Sequence, residues 1–181
     1  MSKSVRERWQ RFRSRFWQSL GFDALVLLAV FMLISAWQTR SLPVDEPAPE
    51  TKLALLDGAE SHSAVTAGET GIVYFFAPWC FYCRSSIGNL HDLVADGYVS
   101  WATVVALDYG DADEVRSFIE KTGVTLPVLM GNAQTAADWG VRAFPTYYVI
   151  NAEGRISSRS VGYSTSLGMM IRNWLASTTM L

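Results

Sequence analysis

Residues 72–84 read Ile-Val-Tyr-Phe-Phe-Ala-Pro-Trp-Cys-Phe-Tyr-Cys-Arg. The first six form a continuous apolar run, the mark of a strand buried on both faces. Directly after it a helix is predicted from about Cys83 to Val94, with Ile87, Leu90 and Val94 on one face. Two thiols at i and i+3 at such a helix start lie on one side of its first turn, near enough for a disulfide. Cys80 faces the unpaired N–H groups and the positive dipole end of the helix, which stabilise a thiolate. A thiolate is the attacking species in thiol-disulfide exchange. Cys83, one turn further in and less accessible, is the natural resolving thiol. Arg84 adds little field if it is fully solvated.

Other chemistries for the pair are weaker or remain open. A purely structural disulfide here closes a loop of two residues, so its entropic gain is small. A c-type haem site needs His after the second cysteine, where this chain has Arg84. Cu(I) held by both thiolates stays a live alternative, because soft ligands favour it. Neither His62 nor His91 is near in sequence, and Met130, Met169, Met170 and Met180 read as core or tail residues. Two cysteines and two histidines are too few for a well-spaced structural zinc site. No metal site is assigned, and His91 reads as structural.

Outward from the cysteines the pattern alternates. Residues 53–56 are a short strand candidate followed by the Asp57-Gly58 turn, and residues 101–107 (WATVVAL) a second buried strand. A helix over about 112–122 turns Val115, Phe118 and Ile119 inward. A short 126–130 segment, a weak helix near 133–139 and a strand over 146–150 follow. The turn 151–154 leads to a strand over 156–162, an antiparallel hairpin. A final helix over about 165–177 carries Leu167, Met170, Ile171, Trp174 and Leu175 at helical spacing, which predicts that this face covers a sheet. The order β, α, β, α, β, β, α is an α/β layered domain over residues 53–181.

The remainder of the chain is different in kind. Of 181 residues half are hydrophobic, with 15 basic against 17 acidic side chains, which suits one ordinary domain plus an appendage. Residues 1–20 hold six basic residues against Glu7, net +5, whereas residues 41–181 are net −7. A domain so acidic lacks the basic face that nucleic acid requires. Residues 24–37 (ALVLLAVFMLISAW) carry no charge, and with Phe16, Trp17, Leu20 and Phe22 upstream they extend to a helix over 16–37. At about 1.5 Å per residue that helix is about 33 Å long and matches a bilayer core. Asp23 lies towards its basic end, and Trp17 and Trp37 fall where interfacial aromatics are favoured. Ile34 and Trp37 make the site after Ala36 a poor cleavage signal, so an uncleaved anchor is expected. The basic tail places the N-terminus in the cytoplasm and the domain across the membrane. Residues 38–52 hold three of the six prolines and read as a semi-extended spacer.

Residues 53–177 resemble the TlpA, ResA and DsbE group of membrane-tethered periplasmic thiol-disulfide oxidoreductases with a thioredoxin fold. The resemblance rests on FFAPWCFYCR, on Leu126-Pro127-Val128-Leu129, and on Gly140-Val141-Arg142-Ala143-Phe144-Pro145-Thr146 followed by YYVINAEGRI. APWC-x-YCR with a following serine is most similar to the branch linked to suppression of copper sensitivity. The resemblance implies a mixed sheet flanked by helices, no cofactor beyond a redox-active Cys80–Cys83 disulfide, and envelope proteins as exchange partners. It further implies a reductant recharged by a DsbD-like carrier in the bacterial inner membrane, with a DsbA-like oxidant as the other direction. Pro145 is implied to be cis beside the dithiol, with Phe144 and Trp79 completing the substrate surface and Phe81 and Tyr82 tuning the potential. Three positions depart from the family, one of them Gly88, where a Pro is usual five residues after the second cysteine. The buried Asp usual six residues before the first cysteine is Tyr74, and the Glu usual three residues after the second is Ser86. A water, Tyr74 or another group must then move the proton when Cys83 ionises.

Overall fold

The computed structural model describes residues 44–58 and 60–178, together with helical residues 22, 23, 25–27, 29, 30 and 32–34. The chain divides into two compact units, 1–40 and 41–181. In the first, the described apolar side chains, among them Phe22, Leu25, Leu27 and Leu33, are exposed. No helix among the described residues is long and apolar enough to cross a membrane. The tail over 1–20, much of the expected span over 16–37, and residues 38–43 of the spacer lie outside the described residues.

The second unit is built around β3 (Gly71–Phe76), all of whose residues are buried. Its apolar run has no polar alternate because both faces are covered and both edges are paired. β4 (Trp101–Ala106) runs parallel on one side and β6 (Thr146–Ile150) antiparallel on the other. β5 (Val128–Met130) and β7 (Ile156–Val161) complete a mixed sheet of order β5-β4-β3-β6-β7. β1 (Lys52–Ala54) and β2 (Ser61–Ser63) form a separate antiparallel pair. Period-2 alternation sends Ile72, Tyr74 and Phe76 into one core layer and Val73 and Phe75 into the other. Each such buried apolar side chain contributes about 1.5–3 kcal/mol. Gly71 lies beside Trp101, and a Cβ there would overlap the indole.

The first layer is closed by α1 (Phe81–Ala95), α2 (Ala112–Thr122) and α4 (Ser166–Thr178), the second by residues that include Trp139 just after α3 (Ala133–Asp138). α2 shows why these segments are helical. Asp111 caps it by accepting the Glu114 N–H at 2.9 Å, acidic residues occupy its first turn, and Gly123 ends it at φ 68°. α1 begins at Phe81 and buries Cys83, Ser86, Ile87, Leu90 and Leu93, with Val94 only half-buried.

One sequence expectation is corrected. Most of the apolar stripe of α4 does not cover the sheet: Leu167, Ile171, Trp174 and Leu175 are exposed, Met170 is half-buried against the core, and Met169, Asn173 and Ala176 face inward. Small or flexible residues let the helix approach closely, and Asn173 is accommodated by donating to the Tyr98 carbonyl at 3.2 Å. The end of the proline-rich spacer is hydrogen-bonded to the domain. Asp45 N–H donates to Ile156 O at 2.8 Å, Ile156 N–H to Glu46 O at 2.9 Å, and Ala48 N–H to Gly154 O at 2.9 Å. Residues 45–48 thereby dock beside the start of β7, and Pro47, which has no N–H to offer, sits in an edge bridge with Arg155.

Candidate active site

β3 delivers the chain to residues 77–79, and a turn closed by Cys80 N–H on Ala77 O at 3.0 Å places Cys80 as the N-cap of α1. Its backbone is extended (φ −75°, ψ 112°), and its Sγ accepts the Cys83 N–H at 3.1 Å. The sulfur therefore takes the position a Ser or Asp oxygen usually holds at a helix start. No acidic side chain occupies the first turn of α1, so the positive end of the helix dipole acts on the sulfur alone.

Cys80 and Cys83 are joined as a disulfide, their Cα atoms 5.3 Å apart. Cys80 retains 5% of its surface and Cys83 none. The asymmetry leaves Cys80 the sulfur open to an incoming group, with Cys83 shielded beneath it.

The other predicted residues gather round this pair to different degrees. Trp79 is 65% exposed, and its ring meets that of Phe144 edge to face, the centroids 5.9 Å apart. The Phe144-Pro145 peptide is cis. Pro145 is buried, and its carbonyl accepts the Gly162 N–H at 2.7 Å. Phe81 and Tyr82 lie on the exposed side of the first turn, their rings edge to face with each other. Trp79, Phe81 and Tyr82 thus form an aromatic rim on the rigid start of a helix. Beside it, between α1 and α2, Trp79, Arg84, Glu114, Phe118 and Lys121 line a depression of about 330 Å3. His91 Nε2 is 3.1 Å from Thr125 Oγ1. Among the described residues no three or more His, Cys, Asp or Glu side chains stand together as a metal site.

Two features escape a reading of the sequence. Trp79 is held by Asp108, whose backbone carbonyl and carboxylate both accept the indole N–H at 3.1 Å. The available signal is topological: Asp108 follows β4, the parallel neighbour of β3, so it emerges at the same end of the sheet as the cysteines. The other is that Tyr74 and Ser86 meet, their hydroxyl oxygens 2.6 Å apart in the buried layer beneath α1. Burial pushes the Tyr74 phenol above its ordinary value, and the Ser86 hydrogen bond opposes this in part.

The AhpC/TSA family pattern matches residues 44–159. The chain belongs to the AhpC/TSA family. It is 27% identical over 154 residues to the thioredoxin-like protein YneN of Bacillus subtilis, covering 80% of this chain and 90% of that one. It is 32% identical over 109 residues to the thiol:disulfide interchange protein CycY of Rhizobium leguminosarum, covering 59% and 57%. Among solved structures, a thiol:disulfide interchange protein of the thioredoxin family from Chlorobium tepidum superposes with a TM-score of 0.65 at 24% identity, over 74% of this chain and 97% of that one. This AhpC/TSA member thus has an α/β thioredoxin fold, a central mixed sheet flanked by helices.

Proposed function

We propose that this AhpC/TSA-family chain is a membrane-anchored, periplasmic thiol-disulfide oxidoreductase that exchanges disulfides with envelope proteins through Cys80 and Cys83. The observation that carries the reading is the disulfide at the head of α1, whose outer sulfur caps the helix while the inner one is fully buried. In the reducing direction the Cys80 thiolate attacks one sulfur of a client disulfide. That S–S bond breaks, a Cys80–client disulfide forms, and the other client sulfur leaves as a thiolate and takes up a proton. The Cys83 thiolate then attacks Cys80 Sγ, forms the Cys80–Cys83 bond and expels the client's second thiolate. Two electrons pass from the dithiol to the client, and no organic cofactor is required. Trp79, Phe144 and Pro145 form the client-contact surface, and Phe81 and Tyr82 tune the dithiol.

The basic tail and apolar stretch of the first 37 residues support a single-pass anchor in the bacterial inner membrane with a cytoplasmic N-terminus. The family resemblance supports recharging by a DsbD-like carrier and a place near the copper-sensitivity branch. The acidic domain argues against nucleic acid as a partner.

Cys83→Ser tests the reading, because it removes the resolving sulfur. Mixed disulfides between Cys80 and envelope proteins should accumulate and vanish on reduction. A protein that traps no client and instead holds Cu(I) through both thiolates would be a metal carrier. The reduction potential of the pair sets the direction: about −250 mV or lower marks a reductant, about −120 to −180 mV an oxidant or isomerase.

A further inference from the structure

The exchange chemistry above makes no use of the hydroxyl pair under the dithiol. Tyr74 on β3 and Ser86 on α1 are both fully buried, with their oxygens 2.6 Å apart. Two hydroxyls carry two protons, and the bond between them uses one. Neither oxygen makes another hydrogen bond among the described residues, so one proton lacks an acceptor while the disulfide is closed. A phenol is the better donor, which leaves the spare proton on Ser86.

Ser86 follows Cys83 by three residues on the buried face of α1. Such pairs stand about 5–6 Å apart at Cβ. Helical side chains lean towards the N-terminus, which tilts Ser86 towards Cys83. Nothing charged competes for the role, since no Asp, Glu, Lys, Arg or His is buried among the described residues. Around the pair, Cys80 caps α1, Tyr147 stands opposite Tyr74 in the sheet register, and Arg172 on α4 is engaged with the Tyr147 hydroxyl at 3.2 Å.

We propose that Ser86, oriented by Tyr74, donates its spare proton as a hydrogen bond to Cys83 Sγ whenever that sulfur is a thiolate. This rests on the exchange reading given above. The interaction exists only when the S–S bond is open and charge sits on the inner sulfur, so it favours the resolving state over the closed one. Ser86 then touches a reacting atom, and Tyr74 is a positioning residue. Tyr74 is not the proton acceptor, because burial keeps its phenol protonated. The Cys83 proton passes instead to the client thiolate released in the first step, which balances the exchange.

The test titrates the Cys83 thiol in the reduced full chain carrying Cys80→Ala, by thiolate absorbance, and separately follows decay of a Cys80–peptide mixed disulfide in the otherwise intact protein. Ser86→Ala should raise the Cys83 pKa by about one unit and slow decay about three- to fourfold at neutral pH, the roughly tenfold loss of thiolate being partly offset by its greater nucleophilicity, while alkylation of Cys80 is unchanged. Ser86→Thr should restore both values, and Tyr74→Phe should shift them the same way by less. Unchanged Cys83 titration and decay in Ser86→Ala overturn the proposal. If Ser86→Ala does not fold, Tyr74→Phe decides by the same two readouts. A wild-type chain that exchanges with no disulfide defeats the oxidoreductase reading instead, and the titration still judges the hydroxyl pair.

Discussion

The indole N–H of Trp79 is shared between the backbone carbonyl and the carboxylate of Asp108, each 3.1 Å away. An exposed tryptophan is thereby given a fixed orientation over the start of α1. Asp108 itself sits at φ 50°, in the left-handed region, where residues other than Gly, Asn and Asp pay about 1–2 kcal/mol.

Asp108→Asn is expected to keep the acceptor and the backbone, with stability within about 0.5 kcal/mol of the parent. Asp108→Val adds the left-handed cost and frees the indole, and should lose about 1–2 kcal/mol. Trp79→Ala should cost little stability, because the ring is mostly exposed, yet slow exchange with a disulfide-bonded peptide several-fold. Thermal unfolding beside peptide kinetics separates the two effects, and a Trp79→Ala enzyme of full rate would remove Trp79 from the client surface.

The second core layer rests on three aromatic rings, Phe75, Trp139 and Tyr148, in mutual contact. Trp139 is fully buried and donates to Thr51 Oγ1 at 2.8 Å, while its carbonyl accepts the Tyr148 hydroxyl. Trp139→Ala should cost about 3–5 kcal/mol. Tyr148→Phe, which orphans a buried carbonyl, should cost about 1–3 kcal/mol. Denaturant midpoints read both.

Gly71→Ala is expected to destabilise by about 1–3 kcal/mol, because the added methyl meets the Trp101 ring and backbone in a filled layer. Gly88 lies mid-helix, and a methyl added there would meet nothing within 4 Å, so Gly88→Ala should gain about 0.5–1 kcal/mol. Opposite signs in paired urea melts check the contrast.

Most of the architecture is legible because it is written in local side-chain pattern. The strand before the cysteines, the helix after them and the 146–161 hairpin follow from periodicity and turn residues. Four things are not legible, each for a physical reason. The seating of residues 45–48 is made by backbone groups, which every sequence supplies alike. The orientation of α4 eludes the pattern because apolar residues mark a face without saying that it packs, and here Met169 and Ala176 do the packing. The Tyr74–Ser86 contact joins residues twelve apart on different elements, and neither looks like an ionisable site. At the site itself the cysteines, Trp79 and Phe144 can be picked out from sequence, whereas Asp108 depends on a loop conformation that no spacing encodes.

Stability should fall in strong alkali with a defined origin. Burial pushes the phenols of Tyr74 and Tyr148 above the ordinary tyrosine value of 10.0. Above about pH 10 the unfolded chain releases these protons while the folded chain keeps them, so the unfolded state binds fewer and unfolding becomes easier as pH rises. Below that pH both states are protonated and the contribution is complete. Tyr148→Phe should remove about half of this alkaline slope, as measured by urea unfolding between pH 9 and 11.

The docking of residues 45–48 gives the domain a polarity. They are held beside Ile156, which pairs with Ile150, which in turn lies opposite Gly71 at the beginning of β3. The dithiol follows the other end of that strand, about 20 Å away at about 3.3 Å per residue. The chain is therefore moored at one pole and reactive at the other. A pull or a bulky fusion on the N-terminal side loads a few backbone bonds at the stern of the sheet, leaving the sulfurs at its prow. Exchange with a small disulfide should run at the same rate whether the protein is free or fixed to a bead through its N-terminus.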